Sequence, residues 1–365
     1  MTLIAQARHA VLDSGPRAAS ATGLLDAWIE RSWQRCLGTG QRPTQQVSFE
    51  ALSAQAMKRV TEANRPLVQA ARPTLERLSR AIAGTRYFAI LTDAQGIVVD
   101  AHGAIDMADR RAALISRVGA DLSERAVGTS AIGAALTELQ PVWLHRGEHF
   151  FNDTSVYSCA GAPLFGPAGD CVGMLDLTGV EVAERPELKH LVVQSARTIE
   201  NALLLAAPHA LVLRMNWPGR DLGADLAGSA DGLVTLDADG HVTGFNALAR
   251  QLLPQPATRQ QAPLHCSDLF AMPWQALFDA ARREQAPQDV PLWSGLRLVV
   301  QALEPGRTTA RPASRHATSV PLREVETALI RRAVDDARGN VAEAARVLGI
   351  SRATVYRRLG RRARG

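Results

Sequence analysis

The last helix predicted from this sequence carries side chains that suit the base edges and phosphates of nucleic acid. Arginine pairs with guanine or binds a phosphate, and threonine contacts a thymine methyl group or a phosphate. At 100° per residue, the apolar Val355 and Leu359 share one face of this helix, and arginine and threonine side chains occupy the other face. The candidate DNA-binding residues are Ser351, Arg352, Thr354, Arg357, Arg358 and Arg361.

Two roles can be separated within this set. Ser351 and Arg352 stand at the N-terminus of the helix, the end that meets base edges in helix-turn-helix proteins. We expect Arg358 and Arg361 to bind phosphates, which adds affinity but no sequence information. Specificity is therefore expected to depend on the start of the helix and affinity on its arginine-rich end.

The charge of the chain is concentrated in the same region. Residues 306–365 contain 14 arginines, no lysine and five acidic residues, a net charge of +9, although the whole chain carries only +5. The preceding residues are therefore slightly acidic. Such an asymmetry indicates a polyanionic partner for the C-terminal segment, most often nucleic acid.

Two histidines in the middle of the chain superficially resemble a zinc motif. His145 and His149 bracket Arg146-Gly147-Glu148, but the glutamate is misplaced for HExxH and the glycine disfavours a helix. Histidines four residues apart share a face only on a helix. We therefore favour hydrogen-bonded structural or pocket histidines and predict no metal site.

The four cysteines are not arranged for known thiol chemistry. None forms a CxxC pair, so reduced, buried thiols are expected, although Cys159 and Cys171 fall in predicted strands and could be a redox pair. Cys159 with His145 or His149 is the only nucleophile and base that could be proposed. We predict no catalytic residue and no cofactor, and we do not expect an enzyme.

The elements that position the arginine-rich helix are typical of a helix-turn-helix. Pro321 suits the first turn of one helix, and Asn340 can cap the next. Small residues at Ala344 and Ala345 let two helices cross closely, and Gly349 permits the tight turn that follows.

The segment RGNVAEAARVLGISRATVYRRL closely resembles the Fis-type helix-turn-helix at the end of many bacterial regulators. The resemblance covers about residues 320–362. It implies binding of double-stranded DNA by a homodimer at an inverted repeat.

The middle of the chain alternates helices and strands, which predicts an α+β domain with an antiparallel sheet. The predicted elements are a helix at Leu67–Ile82, a strand pair within Tyr87–Val99, a glycine-bearing helical segment at Ala126–Leu139, a strand at Pro141–Leu144, two strands within Gly161–Leu177 and a long helix at Leu188–Leu205.

The stretches VGTSAIG, SCAGAPLFGPAGDCVGMLDLTG and SARTIENALL resemble the GAF domain of acetoin-type catabolic regulators, and RSWQRCLGTG resembles the segment that precedes it. The resemblance covers about residues 28–205. It implies a small-molecule effector, bound between the sheet and the segments around 128–131 and 145–157. The candidate effector-binding residues are Thr129, Ser130, His145, His149, Phe150, Tyr157 and Cys159.

A third unit follows. Residues 231–253 predict a strand, an Asp-Gly turn, a strand and a helix, and with Phe245-Asn246 they resemble the opening of a PAS domain. A second helical segment at 269–281 and a strand at 296–302 complete the unit. A structural spacer without a ligand is favoured over a second binding module.

In the regulators that this chain resembles, an AAA+ ATPase domain stands before the Fis-type end. A phosphate-binding loop needs GxxxxGK[ST]. The sequence has only two lysines, Lys58 and Lys189, and neither follows a glycine. We therefore expect the protein to act without ATP hydrolysis.

Together these patterns predict an α+β multidomain protein with an all-α C-terminal unit. The expected units are an N-terminal helical segment (1–64), a GAF domain (65–206), a PAS-like domain (207–303), a linker (304–319) and the helix-turn-helix (320–365). A composition with 46% hydrophobic and 21% charged residues excludes a disordered chain, and the lack of a long apolar run excludes a membrane span.

The predicted function is a cytoplasmic, ligand-responsive, sequence-specific DNA-binding transcription regulator, with RNA polymerase as a further candidate partner. One alternative is an antagonist without ATPase activity, which opposes a full-length sigma-54 activator. Another is a Fis-like architectural protein, which would bind DNA with weak sequence preference and without regard to small molecules.

Overall fold

The computed structural model describes residues 3–13, 25–49, 52–220, 222, 226–228, 230–253 and 263–305, and then positions 334, 337, 340–342, 345 and 355. The chain divides into a large unit, Met1–Gly306, and a small unit, Arg307–Gly365. The described part of the large unit contains two five-stranded sheets, in both of which every strand pair is antiparallel. The predicted antiparallel α+β fold is thus confirmed.

The first sheet has the strand order β2-β1-β5-β4-β3. Its strands are β1 (Tyr87–Asp93), β2 (Val98–His102), β3 (Val142–His145), β4 (Tyr157–Phe165) and β5 (Cys171–Val180). The helices that precede, interrupt and follow it are α1 (Leu3–Arg8), α2 (Ala27–Gly38), α3 (Ala54–Ala63), α4 (Arg65–Ala81), α5 (Arg110–Ile115), α6 (Glu124–Val127), α7 (Ala131–Glu138) and α8 (Leu188–Ala206).

Alternating side chains of this sheet form two separate apolar cores. Leu175 and Leu177 of β5 pack on one face with the buried sides of α4 and α8. Met174 and Ile90 belong to the opposite face, which is covered by α2, α7 and the intervening loops. The amphipathic helices predicted before and after the strands of this sheet are confirmed, because α4 and α8 each present one apolar stripe to the same face of the sheet.

The segment predicted as one helix at Ala126–Leu139 is wrong in detail, because it is broken in two. Helix α6 ends at Val127 and is capped by Gly128, whose φ of +65° is a left-handed conformation that favours glycine. Ser130 then begins α7, its Oγ accepting a hydrogen bond from the Gly133 amide at 3.1 Å. The break turns residues 128–130 toward the centre of the unit.

The second sheet has the order β8-β7-β6-β10-β9. Its elements are β6 (Leu211–Asn216), β7 (Gly232–Leu236), β8 (Val242–Phe245), α9 (Ala247–Leu252), α10 (Gln275–Arg282), β9 (Gln288–Pro291) and β10 (Arg297–Leu303). The predicted strand, turn, strand and helix over 231–253 are confirmed. The central strand β6 was not predicted, because all six of its residues are buried and no alternation marks it.

The two sheets of the large unit are joined by polar contacts at the turn between β4 and β5. The Arg250 guanidinium of α9 donates to the Gly166 carbonyl at 2.9 Å, and the Phe245 amide donates to the Pro167 carbonyl at 3.1 Å. Nearby, Asn246 Nδ2 donates to Asn201 Oδ1 of α8 at 2.9 Å. The first sheet and helix α8 therefore both contact the corner between β8 and α9.

Cys159 and Cys171 are not neighbours, so the redox-pair alternative is wrong. Cys159 lies opposite Thr178 and Cys171 lies opposite Phe165, at the two ends of the same strand pair. Six residues of strand separate these positions, roughly 20 Å. Both cysteines are free thiols.

The small unit has a minimal apolar core at its described positions. Val355 is fully buried and Ala345 is nearly so, and Val334 and Val341 pack against them. Asn340 Oδ1 accepts a hydrogen bond from the Ala342 amide at 3.1 Å, which confirms the predicted helix cap.

No helix within the described part of the chain is long and apolar enough to cross a membrane.

Candidate functional site: an internal cavity and the C-terminal helix-turn-helix unit

A cavity of about 40 Å³ lies on the face of the first sheet that α7 covers. Its walls combine apolar side chains with a few polar groups from β4, β5 and the loops. The residues that line it are Phe49, Ile90, Ile115, Leu122, Val127, Ser130, Ala131, Ile132, His149, Thr154, Tyr157, Cys159, Asp176 and Thr178. A volume of this size holds about three to four water-sized groups, so the cavity suits only a compact ligand.

The structure places four of the seven predicted effector-binding residues in the cavity wall. They are Ser130, His149, Tyr157 and Cys159. The other three, Thr129, His145 and Phe150, do not line it. Their role in effector binding is not supported by their position.

Each of these three side chains has other partners. Thr129 Oγ1 lies 2.7 Å from Ser32 Oγ of α2, on the far side of the α6–α7 break. His145 Nδ1 lies 2.6 Å from Ser158 Oγ. Phe150 is fully buried and packs edge-on against Phe151 with ring centroids 5.0 Å apart. These contacts are structural.

Charged side chains link helix α2 to helices α6 and α7. Arg35 donates to Glu124 at 2.7 and 2.8 Å and to Glu138 at 2.8 Å. The hydrogen bonds to Glu124 are the main reason why the pKa of Arg35 is raised. Trp33 adds an apolar anchor, because it is fully buried and its Nε1 donates to the Glu148 carbonyl at 2.9 Å.

A chain of polar contacts crosses the cavity wall. His149 Nδ1 lies 2.9 Å from the Arg146 carbonyl, so Nδ1 carries the proton and Nε2 is an acceptor. Cys159 Sγ lies 3.6 Å from that Nε2, within reach of a thiol donor. Thr178 Oγ1 contacts Cys159 Sγ at 3.4 Å and also the Oδ2 of Asp176.

The electrostatics of Cys159 and His149 favour neutral forms of both. Burial lowers the pKa of His149 to about 4, and burial raises the pKa of the Cys159 thiol well above its ordinary value. A reactive cysteine needs the opposite environment, one that stabilises the thiolate. The pair is therefore suited to hydrogen bonding rather than to nucleophilic attack.

Asp176 is the one acidic side chain among the described cavity-lining residues that were not predicted from the sequence. It is fully buried in β5, and burial raises the pKa of its carboxyl group to about 7. Its Oδ2 accepts from Thr178, whereas its Oδ1 is buried and has no partner among the described residues. The signal was present, since an aspartate inside the apolar run MLDLTG is unusual for a strand buried on both faces.

Replacing Asp176 with asparagine is expected to change the pH dependence of stability. Because the folded-state pKa is raised, the folded protein binds more protons than the unfolded chain between about pH 4 and 7. The wild type therefore loses stability as the pH rises through this window, and the asparagine variant does not. We expect the free energy of unfolding of Asp176→Asn, relative to wild type, to increase by about 2–3 kcal/mol between pH 5 and pH 8.

Urea denaturation of both proteins at the two pH values measures this change. The exposed Asp170, directly before the same strand, provides a matched control as Asp170→Asn, which removes a carboxyl group from the surface instead of from the interior. A pH-independent difference for Asp176→Asn would contradict the assignment of a buried carboxyl group with a raised pKa.

Among the described residues, no group of three histidine, cysteine or acidic side chains is arranged around a common point. His145 and His149 in particular bond to different partners, Ser158 and the Arg146 carbonyl.

The six predicted DNA-binding residues, Ser351, Arg352, Thr354, Arg357, Arg358 and Arg361, lie outside the described residues. In the same unit, Ala345 and Val355 are described, and both are buried. Both positions were predicted to face inward.

Comparison with known families identifies both parts of the chain. The profile described as "MimR, N-terminal domain" matches residues 5–201, more than half of the sequence. The chain belongs to this family. A second profile, "Bacterial regulatory protein, Fis family", matches residues 321–361. A Fis-type helix-turn-helix implies that this member of the MimR N-terminal domain family binds DNA.

Several relatives of this family member are named as regulatory proteins or transcriptional activators. It is 31% identical to the acetoin catabolism regulatory protein of Cupriavidus necator over 236 residues, 62% of this chain and 34% of that protein. It is 30% identical to the propane 2-monooxygenase operon transcriptional activator MimR of Mycolicibacterium goodii over 143 residues, 38% of this chain and 24% of that one. The chain thus matches about a third or less of the length of these relatives.

Among solved structures, the DhaR(N)–DhaL complex of Escherichia coli matches with a TM-score of 0.46 and 16% identity, over 77% of this chain and 100% of that one. The predicted resemblance to acetoin-type regulators with a Fis-type C-terminal end is confirmed by the sequence matches. The predicted lack of an ATPase step stays a prediction.

Proposed function

We propose that this protein is a ligand-responsive, sequence-specific DNA-binding transcription regulator that acts without ATP hydrolysis. The observation that carries the proposal is a cavity with an unpaired buried carboxylate oxygen, in the same chain as a Fis-type helix-turn-helix. We assign residues 65–206 to a GAF-type sensor, 207–303 to a PAS-like unit and 320–365 to the DNA-binding unit, which would act as a homodimer on an inverted repeat in the cytoplasm.

The contacts within the large unit support a route from the cavity to the second sheet. Cys159 and Asp176 lie on β4 and β5, and the turn that joins these strands accepts hydrogen bonds from Arg250 and Phe245. A ligand that shifts the two strands would therefore also shift the corner between β8 and α9. Coupling to DNA requires that the ligand bind two states of the protein with different affinities.

The test is a selection of random double-stranded DNA by the purified full chain at physiological salt, with and without candidate effectors. Acetoin, small alcohols and small ketones are the first compounds to try. We expect enrichment of an inverted repeat, and a change in that enrichment with one compound. DNA binding without sequence preference, unchanged by every compound, would contradict the proposal and favour the architectural alternative. Co-purification with a full-length sigma-54 activator would favour the antagonist.

Two substitutions in the proposed recognition helix should separate specificity from affinity. Arg352→Ala should relax the preference at one base step in each half-site and cost about 1–3 kcal/mol per contact. Arg358→Ala should weaken binding to all sequences alike and lower the salt slope by about one unit. Fluorescence anisotropy with cognate and scrambled DNA over a range of salt concentrations distinguishes the two effects. If both variants bind like the parent, the recognition helix is misassigned.

A further inference from the structure

The cavity contains one polar atom whose hydrogen-bonding capacity the protein does not use. Asp176 is fully buried and lines the cavity, and its Oδ1 is the one atom of the described cavity wall that is buried without a partner. Leaving such an acceptor unpaired costs on the order of 1–3 kcal/mol. The cost is large enough that the position calls for a functional explanation.

The neighbouring strands supply no side-chain hydrogen-bond donor to this oxygen. Asp176 is paired across the sheet with Gly161 of β4 on one side and with Ile90 of β1 on the other, and neither residue has a polar side chain. The space beside Gly161 is filled by Met174, because an added Cβ at Gly161 would stand 2.1 Å from Met174 Cε.

The donors around Asp176 are already committed elsewhere. The hydroxyl group of Thr178 donates its single proton to Asp176 Oδ2. The thiol of Cys159 donates to His149 Nε2, and His149 Nδ1 donates to the Arg146 carbonyl. None of these groups can supply Oδ1. A partner for the ionised Oδ1 must therefore bring its own hydrogen-bond donor into the cavity.

We propose, on the basis of the sensor function assigned above, that Asp176 Oδ1 accepts a hydrogen bond from the hydroxyl group of a compact, uncharged ligand bound in this cavity. The rest of the ligand contacts the apolar wall, which includes Ile90, Leu122 and Ile132. Asp176 thereby selects ligands by the position of one hydroxyl group.

The charge of the wall disfavours ionic ligands. No lysine or arginine is among the described side chains that line the cavity, so a carboxylate would meet the Asp176 charge with no cation to balance it. An ammonium group could pair with Asp176, but its desolvation in an apolar cavity is seldom repaid by one ion pair. A ketone has no donor for an ionised Asp176 and can bind only its protonated form.

Hydroxyl binding is expected to depend on pH through Asp176. A donated hydrogen bond favours the ionised carboxylate, so binding is linked to loss of the carboxyl proton, which the empty protein holds up to a pKa of about 7. The other titratable side chains that face the cavity are His149, Cys159 and Tyr157. The pKa of His149 is about 4 and those of Cys159 and Tyr157 are raised by burial, so all three keep one charge state between pH 6 and 8.

The test is calorimetric titration of the full chain with four probes of matched size, namely propan-1-ol, acetone, n-propylammonium and propionate. We expect saturable binding of propan-1-ol that is roughly tenfold tighter at pH 8 than at pH 6. Acetone should show the opposite pH dependence, and the two ions should bind more weakly than propan-1-ol at both pH values. Asp176→Asn should weaken propan-1-ol binding at pH 8 about tenfold or more, whereas Asp170→Asn should not.

Several outcomes would overturn the assignment. They are no saturable binding of propan-1-ol up to about 100 mM, equal affinity in wild type and Asp176→Asn, tighter binding of n-propylammonium or propionate, or an affinity that does not change with pH. If Asp176→Asn fails to fold, the pH series on the wild type alone still decides the question.

A parallel measurement of DNA affinity separates this inference from the regulatory function. Binding of propan-1-ol through Asp176 without an effect of any ligand on DNA affinity would contradict the regulatory function and leave the Asp176 assignment standing. A ligand that changes DNA affinity equally in wild type and in Asp176→Asn would support the regulatory function and contradict the Asp176 assignment.

Discussion

Replacing Val355 with aspartate is expected to abolish specific DNA binding and to leave the large unit folded. Val355 is fully buried in the small unit against Ala345, Val334 and Val341. An unpaired carboxylate at such a position costs several kcal/mol, and a unit of this size has little stability in excess of that. We expect the dissociation constant for specific DNA to rise by at least about 100-fold, toward the non-specific value.

Ala342 offers a matched control in the same unit. Its side chain is half-buried, and it follows the capping residue Asn340 at the start of a helix, where a negative charge is favourable. Ala342→Asp should therefore stay folded. Its affinity for DNA should fall only by what one added negative charge costs. Thermal unfolding of the large unit should be unchanged in both variants. Parental DNA affinity in Val355→Asp would show that this core does not support the DNA-binding surface.

Truncating Trp33 is expected to destabilise the large unit strongly. The Trp33 ring is fully buried, its Nε1 donates to the Glu148 carbonyl, and the Arg8 guanidinium lies 5.6 Å from the ring centroid. Trp33→Ala removes a large apolar surface and leaves a buried acceptor unpaired. We expect a loss of about 3–5 kcal/mol in the free energy of unfolding.

Trp293 is the corresponding control. It is 68% exposed, although its Nε1 also donates to a carbonyl, that of Ser267. Trp293→Ala should cost less than about 1 kcal/mol. Urea denaturation followed by far-UV circular dichroism compares the two variants with the wild type. Equal midpoints for both variants would mean that α2 does not contribute to the stability of the sensor.

Much of the large unit could be predicted from local patterns. Helix α4 and helix α8 carry apolar stripes at helical spacing, and the strand pairs are marked by Asp-Gly and Asp-Ala-Gln-Gly turns. These signals are local, so they can be recognised without knowledge of the tertiary fold. The broken helix around Gly128 was missed because an apolar run with a glycine reads as continuous until the backbone conformation at that glycine is known.

The candidate site was harder to predict because it depends on strand register. Cys159 lines the cavity together with Asp176 and Thr178 only because β4 and β5 pair as Cys159 opposite Thr178 and Gly161 opposite Asp176. The spacing of these residues in the sequence carries no such information. Resemblance led to Ser130, His149, Tyr157 and Cys159, and it also suggested Thr129, His145 and Phe150, whose side chains face other partners.

The measurement that tests the central claim most directly is thermodynamic coupling between ligand and DNA in the full chain. It compares the dissociation constant for the selected inverted repeat with and without saturating ligand, and the dissociation constant for the ligand with and without DNA, at one fixed salt concentration. We expect both constants to change by the same factor, between about 5 and 150, because coupling is reciprocal. A factor of one in both directions would contradict a ligand-responsive regulator.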